Sequence, residues 1–237
     1  MDGYDVAAAL RDGVADRRAA WRFIRAFAAA WAEPLRDNDG VDPQELGAAQ
    51  ERLGIPLPAA LREAYLLFGR RDDLTSNQDW LAAPNGLSVD REVLVFRHEN
   101  QNAASWGIPV AAVADPDPPV LVEHDAGWQP FLDRVSLACV EMVLSETLFA
   151  PGDRDNAAEV PAELIELVEK NYRRVNFPEY PSWADPADPI RWYSAPGQLL
   201  RMDGGGEWAW LYVRGRTAEE RERIEQAVPA RWAIGHS

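Results

Sequence analysis

The chain has 237 residues, of which 47% are hydrophobic and 27% charged, so it is long enough to bury a sizeable core and too apolar for a disordered segment. Its 39 acidic side chains outnumber 24 basic ones, for a formal net charge of -15. Such a surface repels phosphate backbones and anionic bilayers, which argues against nucleic acid and membrane as partners.

The lone cysteine, Cys139 in the apolar stretch SLACVEMVL, excludes an internal disulfide framework and reads as an inert buried thiol. No apolar run reaches the roughly 20 residues that cross a bilayer. The first residues, MDGYDVAAALRDGVADRR, carry acids where a secretory signal has a basic end, so a cytoplasmic location is expected. The charge has two readings: it attracts a basic protein, or it keeps the chain soluble.

In chain order, the first periodic segment covers residues 15–35, where Phe23, Phe27 and Trp31 recur at helical spacing and Ile24 widens the stripe. Pro34 and the DNDG at 37–40 end it. A second helix opens with Asp42 as N-cap and Pro43 at the first helical position, and Gly54 closes it. Pro56 blocks continuation and Pro58 opens a third helix, with Leu61, Tyr65 and Phe68 on its apolar face and Gly69 at its stop.

Strand-like alternation follows at 92–98, with Val93, Val95 and Arg97 on one face and Leu94, Phe96 and His98 on the other. The proline-rich loop 114–119 leads into a second strand at 120–123. Residues 134–149 are apolar on nearly every side, the pattern of a buried helix, and PGDRDN at 151–156 reads as a linker. Pro161 opens a further helix to about 174, and 177–189 fits neither period.

The last part is expected to hold a strand at 190–193, a hairpin turning on Gly204, Gly205 and Gly206, and a final helix. In the second arm Trp208, Trp210 and Tyr212 share one face, and Ala209, Leu211 and Val213 the other. A strand apolar on both faces is expected to be central and covered on both sides; the competing reading makes the aromatic face a docking patch.

Catalytic and cofactor motifs are missing. The glycine triplet lacks the Lys-Ser/Thr of a phosphate loop, and there is no GxGxxG, GxSxG, HExxH or paired CxxC. Two histidine-acid neighbours, His98-Glu99 and His124-Asp125, end predicted strands and converge on a metal or acid-base site only if turns aim both pairs at one point. The expectation is therefore a chain with no catalytic residues, no metal and no cofactor.

The ordered segments ELGAAQERLGIPLPAALREAYLLFGR, LVFRHENQNAASWGIP and DPPVLVE resemble the SUKH superfamily, which groups a yeast cell-wall synthesis regulator with many bacterial immunity proteins. The resemblance spans residues 21–149, departing where Arg70-Arg71-Asp72-Asp73 replaces an Asn-Gly-type turn, and it is loose after 149. It implies an α+β fold, a mixed or antiparallel sheet flanked by helices, in a single domain with an N-terminal helical extension over 1–40 and a divergent part over 150–237. It also implies binding in place of catalysis, many bacterial members neutralising a co-encoded toxin. On that reading the partner is a basic protein toxin, such as a nuclease, met by Glu99, Asp115, Asp117, Glu123 and Asp125, with Trp106 as aromatic anchor. The rivals are a scaffold or regulator without a toxin, and a metal-dependent hydrolase using His98 and His124.

Overall fold

The structure, a computed structural model, describes residues 3–124, 127–185 and 187–233. The chain divides into two compact units, Val14–Ala150 and a second made of Met1–Gly13 with Pro151–Ser237. Residues 14–40 thus belong to the first unit, and only the first 13 stand with the C-terminal part.

The N-terminal strap of the second unit contains α1 (Val6–Ala9). The first unit then runs α2 (Arg17–Trp31), α3 (Pro43–Leu53), α4 (Ala59–Phe68), α5 (Asp72–Thr75), β1 (Trp80–Leu81), β2 (Ser88–Asp90), β3 (Val93–His98), β4 (Ser105–Pro109), β5 (Val120–His124), β6 (Gly127–Leu132) and α6 (Val135–Leu148). Its sheet is antiparallel throughout, in the order β1-β3-β4-β5-β6, with β2 also paired to β3.

The local signals act as their chemistry dictates. Asp16 starts α2 by accepting the Ala19 N–H at 2.7 Å, and Phe23, Phe27 and Trp31 are buried with their rings stacked at 5.6 and 5.7 Å. Asp42 and Glu45 form a reciprocal capping box on α3, which Gly54 closes at φ +70°, a conformation that costs glycine little. Every residue of α6 is buried, Glu141 and Glu146 among them, and the helix packs against α2, α4, α5 and β6. Burial pushes the Cys139 thiol well above its ordinary pKa, so it is held as the unreactive neutral form.

The second unit continues with β7 (Asp155–Pro161), α7 (Ala162–Asn171), β8 (Arg173–Arg174), β9 (Tyr180–Pro181), β10 (Pro189–Ala195), β11 (Gln198–Gly205), β12 (Trp208–Gly215) and α8 (Ala218–Ala227). This sheet is also antiparallel, in the order β7-β12-β11-β10-β8, with β9 on β10. Ala209, Leu211 and Val213 of β12 join Leu200, Met202, Ala158 and Val160 in a core covered by Ile165 and Val168 of α7, Ile224 of α8 and Val228 just after it. The chain is thus an α+β protein with two antiparallel sheets flanked by helices.

Three expectations need correction. Asp155 and Asn156, assigned to a linker, begin β7; only Asn156, Ala158 and Val160 of that strand are buried, so its alternation is too weakly apolar to register. The helix after Pro161 stops at Asn171, and Arg173 and Arg174 pair with β10 as β8. β1, β2, β4, β6 and β9 have no counterpart among the predicted strands; in β6 the outer Gln129 and Pro130 break the apolar pattern.

Close packing inside the first sheet falls on Gly107. A Cβ there would lie 2.4 Å from Val93 Cγ1 and 2.9 Å from the Leu94 carbonyl oxygen. Gly107→Ala should cost about 1–3 kcal/mol of stability, because the second contact is with backbone that cannot rotate away; a urea unfolding series compared with wild type measures it.

Candidate binding surface

The surface is built by the β11–β12 hairpin. Gly205 pairs with Trp208, leaving Gly206 and Glu207 as a two-residue turn with Gly206 at φ +70°. Glycine at the first central position suits the twist of such a hairpin. The pleat then sends Trp208, Trp210, Tyr212 and Arg214 to one face, opposite the side sealed by α7 and α8.

This second face is not uniformly covered, which corrects the expectation of burial on both sides. Arg214 is buried and lies 3.4 Å from Asp155; burial, with repulsion from Arg154, pulls its pKa down to about 10. Tyr212 is half-buried, and the Arg201 guanidinium stands 5.7 Å from its ring centre. Asp203 grips that guanidinium through two hydrogen bonds of 2.7 and 2.6 Å. Trp210 stacks on Tyr212 at 6.3 Å with 25° between the rings, yet it is 41% exposed, and Trp208 is 46% exposed. By register Trp210 sits between Asp203 on β11 and Glu159 on β7. Glu159 and Glu207 are exposed carboxylates that make no ion pair with a described residue. Two adjacent open indole rings beside free acids form an amphipathic surface suited to contact with a protein.

The residues selected from sequence lie in the first unit and are largely committed to the fold. Glu99 is only 3% exposed and accepts the Gln101 and Ala103 N–H groups at 2.7 and 3.0 Å, closing the turn between β3 and β4. Trp106, also 3% exposed, lies under the Arg97 guanidinium at 4.5 Å and edge-on to Phe131 at 6.1 Å. Burial therefore removes both from any docking surface. Asp117 accepts from the Ser136 N–H and hydroxyl at 2.9 and 2.6 Å, which fixes the start of α6. Glu123 is paired with Arg91, and both line a shallow polar depression of about 280 Å³ together with Ser105 and His124. Asp115 is exposed and accepts the Asp117 N–H at 2.8 Å. Asp125 lies outside the described residues.

His98, Ser105 and Glu123 lie side by side across β3, β4 and β5, and His124 follows Glu123 at the end of β5. His98 Nδ1 is 3.1 Å from Ser105 Oγ, and its ring packs on Trp80 at 5.4 Å. Among the described residues no group of three or more His, Cys, Asp or Glu is placed to hold a metal ion.

The strongest electrostatic feature was not selected from sequence. Arg97 is buried and binds Glu141 Oε2 at 2.7 Å, Glu146 Oε1 at 2.9 Å and Asp79 Oδ2 at 3.0 Å. Burial alone works against the charge on Arg97, and the fields of Glu141, Asp79 and Glu146 outweigh it, so its pKa is raised. Glu146 also accepts the N–H groups of Asn77, Gln78 and Asp79 at 2.8, 2.7 and 3.2 Å. The available signal was a pair of glutamates inside an otherwise apolar helix, which demands buried donors.

Removing Arg97 should therefore be severe. Arg97→Met leaves three carboxylates facing one another away from water and should lose about 3–5 kcal/mol, read from urea or thermal unfolding. A milder effect is expected at His98, whose pKa is lowered by burial. The unfolded chain takes up a proton that the folded chain resists, so stability is full above the ordinary histidine pKa of about 6.5 and falls as the pH drops below it. His98→Gln should flatten that part of the acid dependence, checked by comparing urea midpoints at about pH 7.5 and 5.5.

No protein-family model, curated protein or solved structure matches this chain.

Proposed function

We propose that this chain is an immunity-type protein, which binds a cognate bacterial toxin one to one and blocks it by contact without chemistry of its own. The observation that carries the reading is the exposed pair Trp208 and Trp210 on a paired sheet strand in a chain of net charge -15. Large rings left open on a rigid strand supply contact area at low entropic cost, and the acidic field speeds the approach of a basic partner. The resemblance of residues 21–149 to a superfamily rich in immunity proteins supports the same reading, as does the α+β architecture.

On this proposal the partner is a basic toxin domain, such as a nuclease, encoded beside this chain and acting in the same cytoplasm. The acidic loop residue Asp115 contributes to the field that draws it in, whereas the tryptophans make the contact. Because area at the centre of an interface dominates affinity, Trp208→Ala with Trp210→Ala should weaken toxin binding at least about tenfold and leave the unfolding midpoint unchanged. Co-expression provides the measurement. Cells producing the neighbouring toxin should survive with the wild-type chain and die with the double variant. Survival that is indifferent to the chain would overturn the proposal.

A further inference from the structure

The open rings of β12 have a counterpart within the same sheet that indicates what they take. Tyr212, one step along the same face, already holds a cation. Arg201 stands over its ring at 5.7 Å, and Asp203 clamps the guanidinium with bonds of 2.7 and 2.6 Å from the flank. The arrangement consists of an aromatic face, a carboxylate on the neighbouring strand and a guanidinium between them.

Trp210 repeats the first two parts without the third. Its ring continues the stack from Tyr212, and Glu159 faces it across the β7–β12 pairing. Glu207 precedes Trp208 at the hairpin turn. Neither carboxylate is neutralised by a described residue, and both tryptophans are exposed. Indole is the strongest aromatic partner for a cation, and a carboxylate at its edge adds a charge-assisted hydrogen bond.

We infer that Trp208, Trp210, Glu159 and Glu207 form a receptor for arginine or lysine side chains of a protein segment, each cation lying on an indole face and bonding to the adjacent carboxylate. This rests on the proposed function for the identity of the partner as a toxin, but not for its chemistry. A sugar is the other common occupant of open tryptophan faces. It is disfavoured because the groups beside these rings are uncompensated anions, which a neutral ligand leaves without a counter-charge. Glu159 lies on β7, the strand that ends the sheet order, with β12 and its rings beside it.

Calorimetric titration of the full chain with a deca-arginine peptide tests the inference, with cellohexaose and deca-glutamate as comparison ligands. The peptide should bind, and the two other ligands should not. Trp208→Ala with Trp210→Ala should weaken peptide binding about tenfold, as two cation–π contacts require. Glu159→Gln with Glu207→Gln should weaken it severalfold and reduce its dependence on salt. Circular dichroism melts confirm that both double variants keep the wild-type fold. Peptide binding that ignores the tryptophans would reduce the effect to net charge and overturn the inference, as would no peptide binding at all or tighter binding of cellohexaose. If these ring-dependent losses appear but toxin rescue does not, the receptor stands and the immunity reading falls. If rescue is intact in the Trp208 and Trp210 variants although peptide binding depends on the rings, the receptor stands and the toxin contact lies elsewhere.

Discussion

Within residues 14–150 the architecture hangs on one buried guanidinium. Arg97 leaves β3 on the side facing α6 and joins three carboxylates from two other segments: Asp79 before β1, and Glu141 and Glu146 on α6. Each of those acids costs several kcal/mol to desolvate, so none is stable there without the Arg97 guanidinium and the other donors around it. Glu146 closes the arrangement by collecting three successive backbone N–H groups from 77–79, and the Ser145 hydroxyl donates to Glu141 at 2.6 Å. The network fixes where the segment before β1 meets the helix, and it places Trp106 beneath the Arg97 cation as part of the core.

The second unit solves a different problem. Its strand β12, between β7 and β11, must satisfy two neighbours and present two faces, and α7 and α8 cover only the side of Ala209, Leu211 and Val213. On the aromatic side the outcome changes along the strand. Arg214 is buried, Tyr212 is half covered under Arg201, and Trp210 and Trp208 open to solvent. This graded exposure leaves the two largest rings at the hairpin end. There the turn holds the strand paired up to Trp208, while Glu207 and Glu159 make no ion pair with a described residue. Exposed indoles on a well-paired strand are costly to solubility, and a net charge of -15 offsets that cost in the free protein.

Most helices were legible because their determinants are local. The caps at Asp42 and Gly54, the apolar stripe of Phe23, Phe27 and Trp31, and the all-round apolar sequence of α6 each need only a few neighbours in the chain. The hairpin of β11 and β12 was legible for the same reason, through its glycines and alternation. β7 and β6 were not, because their strand character comes from pairing with β12 and β5 and barely from their own side chains. Two of the binding residues chosen from sequence are buried. Glu99 and Trp106 have the right chemistry, but turn closure and the Arg97 field claim them.

The sequence by itself determined the class of the protein, its acidic character, the capped helices and the two-faced pattern of Trp208 to Val213, since composition, caps and periodicity act over short range. Only the tertiary structure decided which face of that strand is sealed and which residues pair around Arg97. Both depend on the arrival of distant segments, α7 and α8 over one side of β12 and α6 over β3, and no local pattern encodes how much of a face such segments will cover.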